Sequence, residues 1–103
     1  MIQVTYDAKH CRLTLRGHAG SGQYGNDAVC AAASILTYTL ADRLAALEEA
    51  GRIGHCTAHL EPGYARIHCR DRTPAVRSLF KTVIHGFRLL CAACPAQVQI
   101  KNA

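Results

Sequence analysis

No stretch of this chain approaches the ~20 consecutive apolar residues that a membrane-spanning helix needs. The N-terminus also lacks a charged start followed by an apolar run. Met1-Ile2-Gln3-Val4-Thr5-Tyr6 alternates apolar and polar residues instead. An export signal is not indicated, and the expectation is a cytoplasmic protein with no membrane partner. Charge is sparse, at 18% of residues, while half of the chain is apolar, a balance that belongs to globular rather than disordered chains. Linkers, low-complexity segments and convincing internal repeats are lacking. At 103 residues the expectation is a single domain spanning 1–103, because a second core would leave each half too small to stand alone.

Acidic residues are few as well. Seven Asp and Glu face twelve Lys and Arg, for a formal net charge of +5. The basic residues are scattered, and Arg66, Arg70, Arg72 and Arg77 form only a loose cluster. A nucleic-acid binder usually shows a tighter basic stripe with aromatics in it, so direct nucleic-acid binding is not expected and a soluble basic surface is the plainer reading. Without export, the six cysteines are expected as thiols or metal ligands rather than as a disulfide framework. Zinc is poorly served: Cys91-Ala92-Ala93-Cys94 has no second pair, and Cys56 and Cys69 lie within separate strands. The Cys-x-x-Cys also closes a helix, whereas redox pairs usually open one; packing is the better reading. His55 and His59 share a strand face that His68 can join, which suits a polar outer face of a sheet better than a metal site. No metal and no cofactor are expected.

The pattern along the chain is legible. Ile2, Val4 and Tyr6 alternate with polar residues, as do Cys11, Leu13 and Leu15, across an Asp7-Ala8-Lys9-His10 break: a β-hairpin. Val29, Ala32, Ala33, Leu36, Leu40, Leu44 and Leu47 then recur at helical spacing, with Asn26 or Asp27 as cap and Gly51 as stop. Residues 53–60 and 64–70 read as strands about a Glu61-Pro62-Gly63 turn. Thr73-Pro74 opens a second helix, whose buried face is Val76, Leu79, Phe80, Val83, Phe87 and Leu90 and which Pro95 ends. Phe80, Phe87 and Leu90 also offer apolar surface for self-association. Val98 and Ile100 suggest a last strand. The order ββαββα(β) with one-sided patterning predicts an α+β, two-layer domain with two helices on one face of a mostly antiparallel sheet.

Between the first hairpin and the first helix runs a glycine-rich segment holding Gly17, Gly20, Gly22 and Gly25. It lacks the Gly-Lys-Ser or Gly-Lys-Thr ending of a phosphate cradle. His18 stands at its start and Cys30 in the first turn of the helix beyond it. A helix start favours an anion through its unpaired amides and macrodipole, and an adjacent imidazolium lowers a thiol's pKa further. An imidazole folded back over that helix start would take the thiol proton and return it to a leaving amine, with the amides receiving an oxyanion. Asp27 has two open readings, as helix cap or as support for His18.

Gly17-His18-Ala19, followed by Gln23-Tyr24-Gly25-Asn26-Asp27-Ala28-Val29-Cys30-Ala31-Ala32-Ala33-Ser34, resembles the two signature elements of the ribosomal-processing cysteine proteases called Prp, in type and in interval. The resemblance covers residues 17–34. It implies a homodimeric endopeptidase that removes the N-terminal extension of a large-subunit ribosomal protein precursor, cutting after a hydrophobic, Phe-rich segment. Carried onto this chain, Cys30 is the nucleophile, His18 the base, and Asp27 a supporting residue. Ser34 would shape the substrate cleft, and Gly20, Gly22, Tyr24 and Gly25 would belong to a substrate-covering loop. The alternative is a non-catalytic ribosome- or RNA-associated module, motivated by the charge.

Overall fold

The computed structural model describes residues 1–18 and 27–103, without the Asp27 side chain. Its elements are β1 (Ile2–Asp7), β2 (Arg12–Arg16), α1 (Asp27–Glu49), β3 (Cys56–Glu61), β4 (Tyr64–Cys69), α2 (Pro74–Ala93) and β5 (Val98–Asn102). They form one five-stranded sheet in the order β3-β4-β2-β1-β5. Every neighbouring pair is antiparallel except β1 and β5, because α2 carries the chain back across the sheet before β5. This is the predicted α+β domain.

Alternation decides which face is covered. Ile2, Val4 and Tyr6 of β1, Leu13 and Leu15 of β2, and Ile67 and Cys69 of β4 are buried in one cluster with α1 and α2. From α1 come Val29, Ala33, Leu40 and Leu44; from α2 come Val76, Phe80, Val83, Ile84 and Phe87. Each large apolar side chain so buried contributes about 1.5–3 kcal/mol. Tyr6 and Phe80 stack with centroids 6.5 Å apart. Phe80 and Phe87 are thus core residues, as the helical stripe predicts, and neither is the self-association surface that was also expected of them; the helix turns both toward the sheet. Where α2 crosses α1, Gly86 leaves space for Leu36, since a Cβ there would lie 2.6 Å from Leu36 Cδ2.

The helix ends follow local chemistry. Thr73 accepts a hydrogen bond from the Val76 amide at 3.3 Å and Pro74 begins α2. Cys94 follows the last turn and its amide donates to Leu90 O. Past α1, Gly51 takes φ +73°, and the amides of Gly51 and Arg52 return to Glu48 and Leu47, a left-handed stop that glycine accommodates.

Three expectations need correction. Residues 28–49 of α1 are long and apolar enough, by length and composition, to cross a membrane; counting uninterrupted apolar runs missed this, because isolated polar residues such as Thr37 and Asp42 break the run without removing its average. In the fold α1 is docked on the sheet through its buried stripe. Cys56 and Cys69 form a disulfide, where thiols or metal ligands were expected. The two-residue turn at Pro62-Gly63 sets the register that puts them opposite each other, with Cα atoms 4.1 Å apart. Finally, His55 lies before β3, with φ +60°, and does not share a strand with His59. Among the described residues no three His, Cys, Asp or Glu side chains are grouped to hold a metal.

Candidate active site

α1 starts beside the end of β2, and the tip of the β3–β4 hairpin closes on both. Between them opens a cavity of about 320 Å³. His18, Cys30 and Ser34 line it, so the three described candidates meet in one place although sixteen residues separate the first from the last. Cys30 is half-buried in the first turn of α1 and packs against the core edge. There the helix start presents amides without intrahelical acceptors and a field that favours an anion. Ser34 is one turn further along the same face.

His18 is held by its neighbours. Gly17 adopts φ +96° and its amide donates to Gly63 O at 2.9 Å, which ties the end of β2 to the hairpin tip. The Met1 ammonium donates to the His18 carbonyl. A Cβ on Gly17 would collide with the Met1 carbonyl. The imidazole lies against Gly63, where a Cβ would stand 2.8 Å from His18 Nε2. A side chain at position 63 would thus occupy the space of the ring.

The other walls were not anticipated. Tyr38 and Leu60 are exposed apolar residues of the cavity rim. Leu60, Glu61, Pro62, Gly63 and Tyr64 bring the hairpin into the site. Thr37, also on the wall, is buried and its hydroxyl donates to Ala33 O at 2.7 Å. Tyr38 was findable from sequence, since it follows Cys30 and Ser34 at steps of four residues. The hairpin had no such signal. Gly20, Gly22, Tyr24 and Gly25 lie outside the described residues, and so does the Asp27 side chain, although Asp27 begins α1. The remaining thiols are elsewhere: Cys11 is buried, with its pKa raised chiefly by that burial, and Cys91 donates to Val98 O at 3.2 Å.

A small two-layer α+β domain with a cysteine at a helix start and a histidine across a cleft has the makings of a thiol hydrolase. The family model for cysteine protease Prp matches residues 1–99, and the chain belongs to that family. The crystal structure of SMU.848 from Streptococcus mutans is 33% identical, covers 99% of this chain and 93% of its own, and superposes with a TM-score of 0.75. Two crystal structures of an essential ribosomal processing protease Prp from S. aureus, one with a covalently linked product peptide and one with a substrate peptide, share the fold. They have TM-scores of 0.78 and 0.79 at 17% and 16% identity, covering 99% of this chain and 97% of theirs. No curated protein matches the chain.

Proposed function

We propose that this cysteine protease cleaves the N-terminal extension from a large-subunit ribosomal protein precursor, with Cys30 as nucleophile and His18 as general base and acid. The observation that carries the reading is the meeting of Cys30, at the start of α1, with His18 around one cavity. His18 takes the thiol proton, and the thiolate adds to the scissile carbonyl. The tetrahedral oxyanion forms beside the amides of the helix start. Collapse expels the amine, which receives the proton from His18, and leaves a thioester on Cys30. Water, deprotonated by His18, then releases the acid and restores the thiol. Asp27 would support His18 or cap α1, and Gly20, Gly22, Tyr24 and Gly25 would close over the peptide with Ser34 beneath it. Apolar rim residues Tyr38 and Leu60 suit a hydrophobic, Phe-rich segment. The S. aureus relatives, solved with a product peptide and with a substrate peptide, support a peptide substrate.

The test is incubation with a peptide of the extended ribosomal N-terminus, followed by mass spectrometry. Wild type yields two fragments, and Cys30→Ala loses at least about 10³-fold in kcat. An uncut peptide, or equal cutting by the variant, would remove the reading. We further propose a homodimer, supported by the exposure of Ile35 (63%) and Tyr38 (53%) on α1, and a cytoplasmic place of action, supported by membership in the Prp family. Light scattering that returns the mass of a single 11.1 kDa chain would count against the dimer.

A further inference from the structure

The helices cover one face of the sheet and leave the other bare. Strand register arranges that bare face in rows. Asp7, Arg12, His68 and Thr57 stand side by side; the next row is Lys101, Thr5, Thr14, Arg66 and His59; the next is Gln99, Gln3, Arg16, Tyr64 and Glu61. Arg70 and Arg72 follow β4 at one end of the rows. Six of the twelve basic residues, Arg12, Arg16, Arg66, Arg70, Arg72 and Lys101, therefore belong to this face or its edge. By contrast four of the seven acidic residues, Asp27, Asp42, Glu48 and Glu49, are on α1.

The face is also short of counter-charge. Its two strand carboxylates are engaged by histidines, Asp7 by His10 at 2.8 Å and Glu61 by His59 at 3.0 Å, and Asp71, between Arg70 and Arg72 at the edge, accepts from the Gly54 amide at 3.2 Å. Among the described residues no arginine lies within ion-pair distance of a carboxylate. Arg12 Nε and His68 Nε2 are buried with no hydrogen-bond partner. The His68 pKa is held below the usual imidazole value by burial first, and then by the guanidiniums of Arg12, Arg66, Arg72 and Arg70. Arg12 is the cross-strand partner of His68, and Arg66 lies two residues before it on β4, on the same face. Beside them Arg16 lies 4.9 Å over the Tyr64 ring, and His59 meets its edge with centroids 5.8 Å apart.

We propose that this bare face is a contact surface for single-stranded RNA. The phosphates would engage the Arg12–Arg66–Arg70–Arg72 cluster and the bases would stack at Arg16, Tyr64 and His59. Guanidiniums without carboxylate partners suit phosphate oxygens, and planar groups on an open sheet suit unpaired bases, which every nucleotide presents. The arginine cluster is separate from the thiol chemistry, since Arg66 and Arg70 do not line the cavity, whereas Tyr64 stands on the cavity wall where the two surfaces meet; the inference does not depend on the peptide substrate.

A fluorescein-labelled uridine oligomer, read by anisotropy over a KCl series, tests it. Wild type binds at low salt and releases as salt rises, with log K falling linearly against log salt. Arg66→Glu with Arg70→Glu weakens binding at least about tenfold, and makes the slope shallower by roughly 0.7 for each phosphate no longer neutralised. Lys81→Glu with Arg88→Glu, on α2, leaves it unchanged. Should charge reversal unfold the sheet, as a melting curve would reveal, Arg66→Gln with Arg70→Gln makes the same comparison. No salt-dependent binding, equal loss from the α2 pair, or tighter binding to phosphatidylserine vesicles than to the oligomer would overturn the proposal. Cleavage of the isolated peptide, measured on the same variants, stays at the wild-type rate. That separates failure of the RNA surface from failure of the protease reading.

Discussion

Gly63 shows how a single residue without a side chain can matter to the site. It sits at φ +76° and its missing Cβ leaves the space that the His18 ring occupies. Gly63→Ala should cost about 1–2 kcal/mol through the left-handed backbone and should push the imidazole aside. Displacement of a reacting group by about 1 Å can lower rate about 10²-fold, so kcat is expected to fall by one to two orders of magnitude with KM little moved. Kinetics on the peptide, beside a melting curve, separate the two effects; a loss of stability with kcat intact would show that the ring simply tilts. At this scale the sequence made Cys30 a candidate through its place at a helix start, and the motif resemblance over residues 17–34 named it together with His18. It did not name Gly63, because a turn glycine carries no sign of what stands beside it. It also missed that Ile84 joins the core of α2, one turn from Phe80 along the helix.

At the scale of elements, capping and alternation were legible because both act over a few residues. The hydroxyl of Thr73 replaces one missing backbone partner at the start of α2. Thr73→Ala should therefore cost about 1 kcal/mol and lower the melting temperature by roughly 4–8 °C. Peptide cleavage should be unchanged, since α2 does not line the cavity. A melting temperature equal to wild type would mean that Pro74 and packing alone define this end. The hairpin β3–β4 was legible as two strands and a turn, but its consequences were not. A turn one residue longer would shift the register, and the register is what pairs Cys56 with Cys69 and brings Leu60 and Gly63 to the site.

The whole molecule sets the electrostatics. His68 has a lowered pKa through burial and four arginines, so between its folded value and about 6.5 the unfolded chain binds the extra proton. Stability then falls as pH drops below about 6.5. Asp7, lowered chiefly by the His10 hydrogen bond, adds a second loss only when pH falls below its unfolded value near 3.8. Melting temperatures across pH 8 to 5 should decline more for wild type than for His68→Gln. Equal declines would place the acid sensitivity elsewhere. The same convergence of charge changes the reading of the arginines. Along the chain they are scattered, and a tight basic stripe is absent. On the sheet Arg12 and Arg66 stand on adjacent strands in neighbouring rows, because pairing makes neighbours of residues that the chain holds 54 positions apart.

By itself, the sequence determined the strands, the helices, the two-layer class and the cysteine at a helix start. It also carried the family signature over residues 17–34, because these depend on periodicities, caps and short motifs. Only the tertiary structure decided that His18 and Cys30 share a cavity with the β3–β4 tip, that Cys56 meets Cys69, and that the arginines gather on one face. Those outcomes rest on strand register and on which helix face meets the sheet, and both are settled by packing between segments far apart in the chain.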